Sequence, residues 1–444
     1  MFNVLYRIDG EFQRSFQVDS DTHNSHQGGA LKRINGRSIR ITKTQMKTKI
    51  LDYFFGVFKK DPKEIESLNG LRAFSILIVL FFHLWENNTH RFLENGLVTK
   101  TTLESILSMR HFMDLFFLLS GLLIYAGLFR VYEKYSTINI REFYLKRILR
   151  IYPAYYTVLI ITFLFSLVIY NEMKVKTNPN EVELFVLNRA AEAIANPWSD
   201  IFLFSNYNPN RMFEFGWSLS LEQHFYIVLP FLCSFLLFKL PFQKRILVLL
   251  AIYIVPIFFR IYHFYNGPIG GIYYATHTRF DALFVGIIAF EIFNQRYFDK
   301  WNGLHAFLLF IGSVVLFFIG VQIRKNELLS HTLSYNVYHV VFILLTFSAM
   351  IPSSPVYKFF ASIVFRPISR LSYTIYLWHG VLAIRFVRKE MGLDSLSWTG
   401  FFSIYVIVCL KIFLVCWILY LIIERPFHNM KIKIDKVHPT GDKI

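Results

Sequence analysis

Residues 68–88 read LNGLRAFSILIVLFFHLWENN, an apolar run with an arginine near one end and a histidine near the other. About 20 apolar residues at 1.5 Å per residue cross roughly 30 Å of hydrocarbon, so this stretch predicts a membrane helix. An ionisable side chain in that setting costs at least about 2.5 kcal/mol, so Arg72 and His83 each need a partner, a wet cavity or a function. His83 follows Arg72 by eleven positions. At about 100° per residue the two return to within about 20° of one face, roughly 16 Å apart along the axis.

The rest of the 444-residue chain has the same character, 54% hydrophobic, 18% aromatic and only 17% charged. Soluble domains are nearer about a quarter charged, so the composition points to an integral membrane protein. Apolar runs recur at about 68–86, 112–130, 152–170, 217–238, 246–264, 280–294, 304–322, 333–351, 371–388 and 399–423. The expected fold is all-α, with about ten transmembrane helices. Residues 1–62, polar and mixed in charge, are expected to be a mostly disordered cytoplasmic tail without a cleavable signal. Residues 63–427 would form the transmembrane domain, and 428–444 a short basic cytoplasmic tail. The apolar stretch 193–208 is too short to span and is expected to be interfacial or re-entrant on the outer side.

Loop charges set the expected orientation. Residues 130–150 carry six Lys and Arg, against three in 87–111, which places both termini in the cytoplasm. The net charge of +17 has the same explanation. No basic stripe interleaved with aromatics stands apart from the apolar runs, which argues against a nucleic-acid partner. Cys233, Cys409 and Cys416 all lie inside apolar runs, which excludes a zinc site of usual spacing and argues against a disulfide framework. No metal site is expected.

Placing the spans at depth groups further polar residues with His83. In this orientation HFMDLFFLLSGLL sets Asp114 about one turn below the outer surface, and GWSLSLEQHFY puts Ser218 and Glu222 on one face at i, i+4 spacing. TRFDALF brings Arg279 and Asp281 to the same level. Snorkelling by Arg72 and a satisfied interhelical histidine would explain the first pair alone, but not this gathering of acids around an imidazole. The expectation is a polar pocket open to the outer side, reached by His83, Asp114, Glu222 and Arg279. At the inner end Arg147 and Arg150 of KRILRIYP share a face and, with Arg72, form a cationic rim suited to bidentate phosphate contact. Pro153 is expected in the first turn of the third span.

The chain resembles the acyltransferase-3 family of membrane acyltransferases over about residues 65–427. The resemblance rests on LNGLRAFSILIVLFFH (an Arg-x10-His spacing), DLFFLLSGLLI, FYLKRILRIYPAYY, GWSLSLEQHFYIVLP, RFDALFVGIIA, LSYTIYLWHGVL and IERPF. Two departures stand out. The family's acidic pair in the fourth-span motif is here Glu222 followed by Gln223, and residues 428–444 are too few for the esterase-like domain that some members append. The resemblance implies transfer of an acyl group, most often acetyl, from cytoplasmic acyl-CoA to a hydroxyl of a periplasmic or cell-surface glycan. The protein would sit in the cytoplasmic (inner) membrane, with acyl-CoA as co-substrate and no resident cofactor. Arg72, Arg147 and Arg150 would hold the CoA phosphates. His83 would act as general base or acyl-accepting nucleophile, oriented by Asp114 or Glu222. The acceptor, a carbohydrate or glycolipid, would enter beside Trp217, Ser218, Arg279 and Asp281. Tyr376, Trp378 and His379 are expected to pack or line a tunnel, and His111, His224 and His277 to be merely exposed near the outer surface.

Two rivals are weaker. A transporter or channel would also bury charges, but predicts inverted repeats and matching broken spans, which the sequence does not show. A lipid-synthesising acyltransferase would want its histidine near the cytoplasmic end, whereas the loop charges put His83 outward.

Overall fold

The computed structural model describes residues 31–34, 37–40, 43–61, 64–86, 88–390 and 397–430. Residues 1–30 and 431–444, expected within the two tails, lie outside the described residues.

Each of the ten apolar runs is a helix. Ahead of them, strands β1 (Leu31–Ile34) and β2 (Arg37–Arg40) form an antiparallel hairpin, followed by helix α1 (Lys43–Phe55). The ten are α2 (Glu66–Glu86), α3 (Phe112–Tyr135), α4 (Ile140–Met173), α5 (Gly216–Phe235), α6 (Phe242–Asn266), α7 (Asp281–Asn294), α8 (Gly303–Ile323), α9 (Ser334–Met350), α10 (Ser372–Glu390) and α11 (Trp398–Leu419). In hydrocarbon every N–H and C=O must be paired within the segment, and an uninterrupted helix does that.

Among the described residues seven helices are long and apolar enough to cross a membrane: α2, α3 with the short helix Lys100–Ser108 and the turn Met109–His111 ahead of it, α4, α5, α6, α8 and α11. The other three are α7 with 14 residues, α9 with 17, and α10, whose end RFVRKE is charged. The stretch 193–208 forms no long helix, only the turns Trp198–Ile201 and Ser205–Tyr207. Trp198, Phe202 and Phe204 there are exposed, as interfacial aromatics are.

The apolar segments sort into a centre and a periphery. Over an 18-residue apolar stretch of each helix, 67% of the residues of α2 are buried, against 17% in α6 and 22% in α8. So α2 runs through the middle of the bundle, and α6 and α8 show most of their side chains to the surroundings. Helices α3 and α7 touch backbone to backbone: a Cβ on Gly121 would meet Leu283 O at 2.0 Å, and one on Gly286 would meet Leu118 O at 2.1 Å. Small residues permit such contact where no hydrophobic effect drives helices together.

Two regions differ from expectation. Helix α4 begins at Ile140, capped by Asn139 Oδ1 accepting from Glu142 N at 3.1 Å, so Pro153 lies inside it rather than in its first turn. The Asn139 cap fixes where the helix starts, and an interior proline is tolerated in a membrane helix, whose neighbours can satisfy the one carbonyl it frees. At 34 residues α4 is roughly 51 Å long and runs beyond the bilayer core, carrying Arg147 and Arg150. The end of the supposed disordered tail is also built in. Tyr53 Oη donates to Leu421 O at 2.6 Å, and the rings of Phe55 and Phe58 lie 5.5 and 5.6 Å from Trp417. The run YFFGVF at 53–58 supplies aromatic area that a polar tail lacks.

Candidate active site

Helix α2 opens into a different cavity at each end. His83 lines one of about 510 Å³ together with Phe82, Arg110, Trp217, Tyr273 and Tyr376. Arg72 lines another of about 810 Å³ with Arg130, Arg150, Arg370, Glu424 and Arg425. Both volumes fall in the ~300–1,000 Å³ range of small-molecule sites. One straight helix therefore sets the spacing between them, roughly 16 Å by its rise.

The imidazole of His83 is held on several sides. Its Nδ1 lies 3.2 Å from Glu86 Oε2, and its ring sits 5.0 Å from Phe215 and 5.3 Å from His379. His379 is fully buried; Nδ1 donates to Tyr376 O at 2.6 Å, while Nε2 has no hydrogen-bond partner. Phe215 packs against both histidines, 4.2 Å from His379. Gly380 makes room for it, since a Cβ there would stand 2.0 Å from Phe215 Cε2. Tyr376 Oη pairs with Ser218 Oγ and donates to Phe215 O at 3.1 Å, which ties α10 to the start of α5.

The acids do not gather as the depth argument expected. Asp114 is fully buried and engaged by Arg279 and by His111, whose Nδ1 is 3.1 Å from its Oδ2. Asp281 takes Arg260 at 2.8 Å. Arg279 is also buried, stacked 4.4 Å over Tyr335 and 4.8 Å over Tyr273. None of these side chains lines the His83 cavity, because two interlocked ion pairs consume them. Glu222 lies one turn deeper, accepting from Ser120 Oγ at 2.8 Å and interacting electrostatically with Arg72 and Arg147. Trp217 and Tyr376 do line the cavity, and Ser218 stands just behind Tyr376. His111 is buried in its pair with Asp114, His224 bonds Thr276 Oγ1 at 2.7 Å, and His277 faces His263 at 2.8 Å; none of the three reaches the cavity.

At the other end the three arginines share a neighbourhood. Arg72 feels the charges of both Arg150 and Arg147. Arg147 lies 5.5 Å over each of the Phe143 and Tyr226 rings, and Arg150 is exposed in the cavity wall. The same cavity is also lined by Lys59, Lys60 and Asp61 after α1 and by the π-helical turn Tyr420–Glu424, where Thr374 donates to Glu424. Such turns are rare and often mark functional sites. Between the cavities Tyr376 pairs with Ser218, and one turn further along α5 Glu222 accepts from Ser120 and acts on the Arg72 charge.

Sequence reasoning missed Glu86 and Arg110 and undervalued His379. The i, i+3 spacing from His83 to Glu86 was readable; the nearness of His379 was not, because depth counted along one helix says nothing of how two helices are offset.

The sequence model of the acyltransferase-3 family, described as an acyltransferase domain, matches residues 65–421. O-acetyltransferase OatA of Staphylococcus aureus strain NCTC 8325 / PS 47 is 23% identical over 383 residues, 84% of this chain. The same protein in strains COL and MRSA252 matches equally. The chain spans 58% of the length of these relatives. No solved structure matches.

Proposed function

Because the chain belongs to the acyltransferase-3 family, we propose that it transfers an acyl group from acyl-CoA to a carbohydrate hydroxyl across the cytoplasmic membrane. The acyl group is acetyl in this reading, by analogy with the relatives' name. In this reading about ten helices cross the bilayer, the short α7 together with the turn Thr276–Arg279 before it, both termini are cytoplasmic, and the Arg72 cavity faces the cytoplasm.

The observation that carries the reading is the single central helix with Arg72 in one cavity and His83 in another. The donor brings phosphates, which Arg72, Arg147 and Arg150 attract, and a flexible thioester arm about long enough to cover the roughly 16 Å between levels. The polar side chains of Ser218 and Glu222 mark its route. The acceptor enters beside Trp217 and Tyr376. With Nδ1 donating to Glu86, the basic position of His83 is Nε2. It takes the acceptor's hydroxyl proton as the oxygen attacks the thioester carbonyl; the C–S bond breaks and CoA leaves as the thiolate, to be protonated. Glu86 orients the ring and stabilises the imidazolium, the part first assigned to Asp114 or Glu222.

The test is a donor assay. Purified protein with labelled acetyl-CoA and a glycan acceptor should release CoA and label the glycan. Release of no CoA, with or without acceptor, would rule the reading out.

A further inference from the structure

The His83 cavity holds a charge that the transfer step leaves unused. Arg110 lines the cavity at the turn Met109–His111, its guanidinium 4.7 Å over the Tyr273 ring and its buried Nε without a hydrogen-bond partner. No ion pair among the described residues includes Arg110. The neighbouring cations are accounted for: Arg279 is matched by Asp114, and Arg324 donates to Ser108 Oγ at 3.0 Å with Glu104 near by. Burial, with the Arg110 charge added, holds the His331 imidazole below its ordinary pKa, which favours its neutral form. The two carboxylates on the wall, Glu86 and Glu214, are each 54% exposed at the rim and engaged by His83 and Arg189.

A half-buried guanidinium that faces only tyrosines, Tyr273 and Tyr335, and no carboxylate among the described residues has a fork of donors that fits carboxylate or phosphate oxygens two at a time. Tyr273 fixes that fork from one side and stands 5.0 Å from Trp217, which makes an aromatic wall of the kind that takes a ring face. We propose that the acceptor is an anionic sugar, bearing a carboxylate or a phosphate, whose negative group is held by Arg110 while a hydroxyl of the same unit meets His83. Only the hydroxyl half of this rests on the acyl-transfer reading.

The experiment measures calorimetric binding to protein in nanodiscs, and labelled acetyl transfer, with methyl β-D-glucuronide, glucose 6-phosphate and the neutral methyl β-D-glucoside. At least one anionic sugar should bind about tenfold or more tightly than the glucoside, the size of one charge-assisted contact. Arg110→Gln should erase that preference, leave glucoside affinity unchanged, and unfold at the wild-type temperature. Arg110→Lys, which keeps the charge but loses the fork, should retain part of the preference, and it decides the matter if the Gln variant does not fold. Equal affinity for all three sugars, no binding of either anion, or a preference that survives Arg110→Gln overturns the proposal. Anion binding without transfer keeps the Arg110 site and sinks the acyl-transfer reading; transfer without anion preference does the reverse.

Discussion

Around His83, helix α2 meets rings: Phe215 at 5.0 Å, His379 at 5.3 Å and the wall of Trp217 and Tyr273 beyond. Around Arg72, eleven residues earlier, it meets charges: Arg147, Arg150 and Glu222 act on it, and Lys59, Arg370 and Arg425 share its cavity. The contrast follows the chemistry each end would perform. Proton transfer requires one imidazole fixed to within a fraction of an ångström, and packed rings fix it without adding charge. Capture of a polyanion from water requires field and reach, and tolerates exposure.

The sharpest way to break the contrast is to remove the base. His83→Ala should lower acetyl transfer by about 10²–10⁴-fold, the usual worth of a positioned general base, with donor KM nearly unchanged. A variant still near wild-type turnover would show that the chemistry lies elsewhere. A subtler disturbance of the same end is Gly380→Ala, whose added Cβ would stand 2.0 Å from Phe215. Displacing that ring should cut kcat about tenfold, equal to about 1.4 kcal/mol, again without touching donor KM. At the other end Arg147→Gln with Arg150→Gln should reverse the pattern. Donor KM should rise about tenfold, kcat should hold, and the effect should shrink as salt is raised. An unchanged donor KM in the double variant would remove the phosphate role.

The smallest effect concerns neither cavity directly. Asp200, buried in the segment between α4 and α5, accepts from Met212 N at 2.8 Å and Phe213 N at 3.4 Å, just ahead of Phe215. Burial pushes its carboxyl up to about 6, and those two N–H donors offset only part of the rise. The folded value lies above the unfolded ~3.9, so the protonated form favours folding. That contribution is full below about pH 4 and is lost as pH climbs through about 6, on the order of 2–3 kcal/mol in all. Thermal unfolding scanned from pH 4 to 7 should show the loss, and Asp200→Asn should flatten it; an unchanged slope in Asp200→Asn would place its origin elsewhere.

How much of this the sequence carried depends on the range of the interaction. The ten helices were legible because a long apolar run pairs its backbone groups within itself most simply as a helix, though only seven of the ten are long and apolar enough to span. The Arg72–His83 spacing was legible because both residues ride on one helix. Partners within a helical turn, such as Glu86 for His83, were equally within reach of the pattern. Pairings between helices were not. Asp114 and Arg279 are 165 positions apart, and their joining depends on the backbone contact of α3 with α7 that Gly121 and Gly286 permit. An arginine next to an acid in depth reads as a pocket or as a closed ion pair with equal ease; only packing separates them. The docking of α1 on α11 was hidden for a related reason, since the aromatic run at 53–58 shows no partner in the sequence until Trp417 stands opposite.

Everything above turns on the two cavities facing opposite sides of the bilayer. Proteoliposomes of uniform orientation test that, with labelled acetyl-CoA sealed on the Arg72 side and acceptor sugar supplied only on the His83 side. The account predicts labelled sugar in this arrangement, and almost none when donor and acceptor are both confined to the His83 side. Efficient transfer with both substrates on that one side would contradict it.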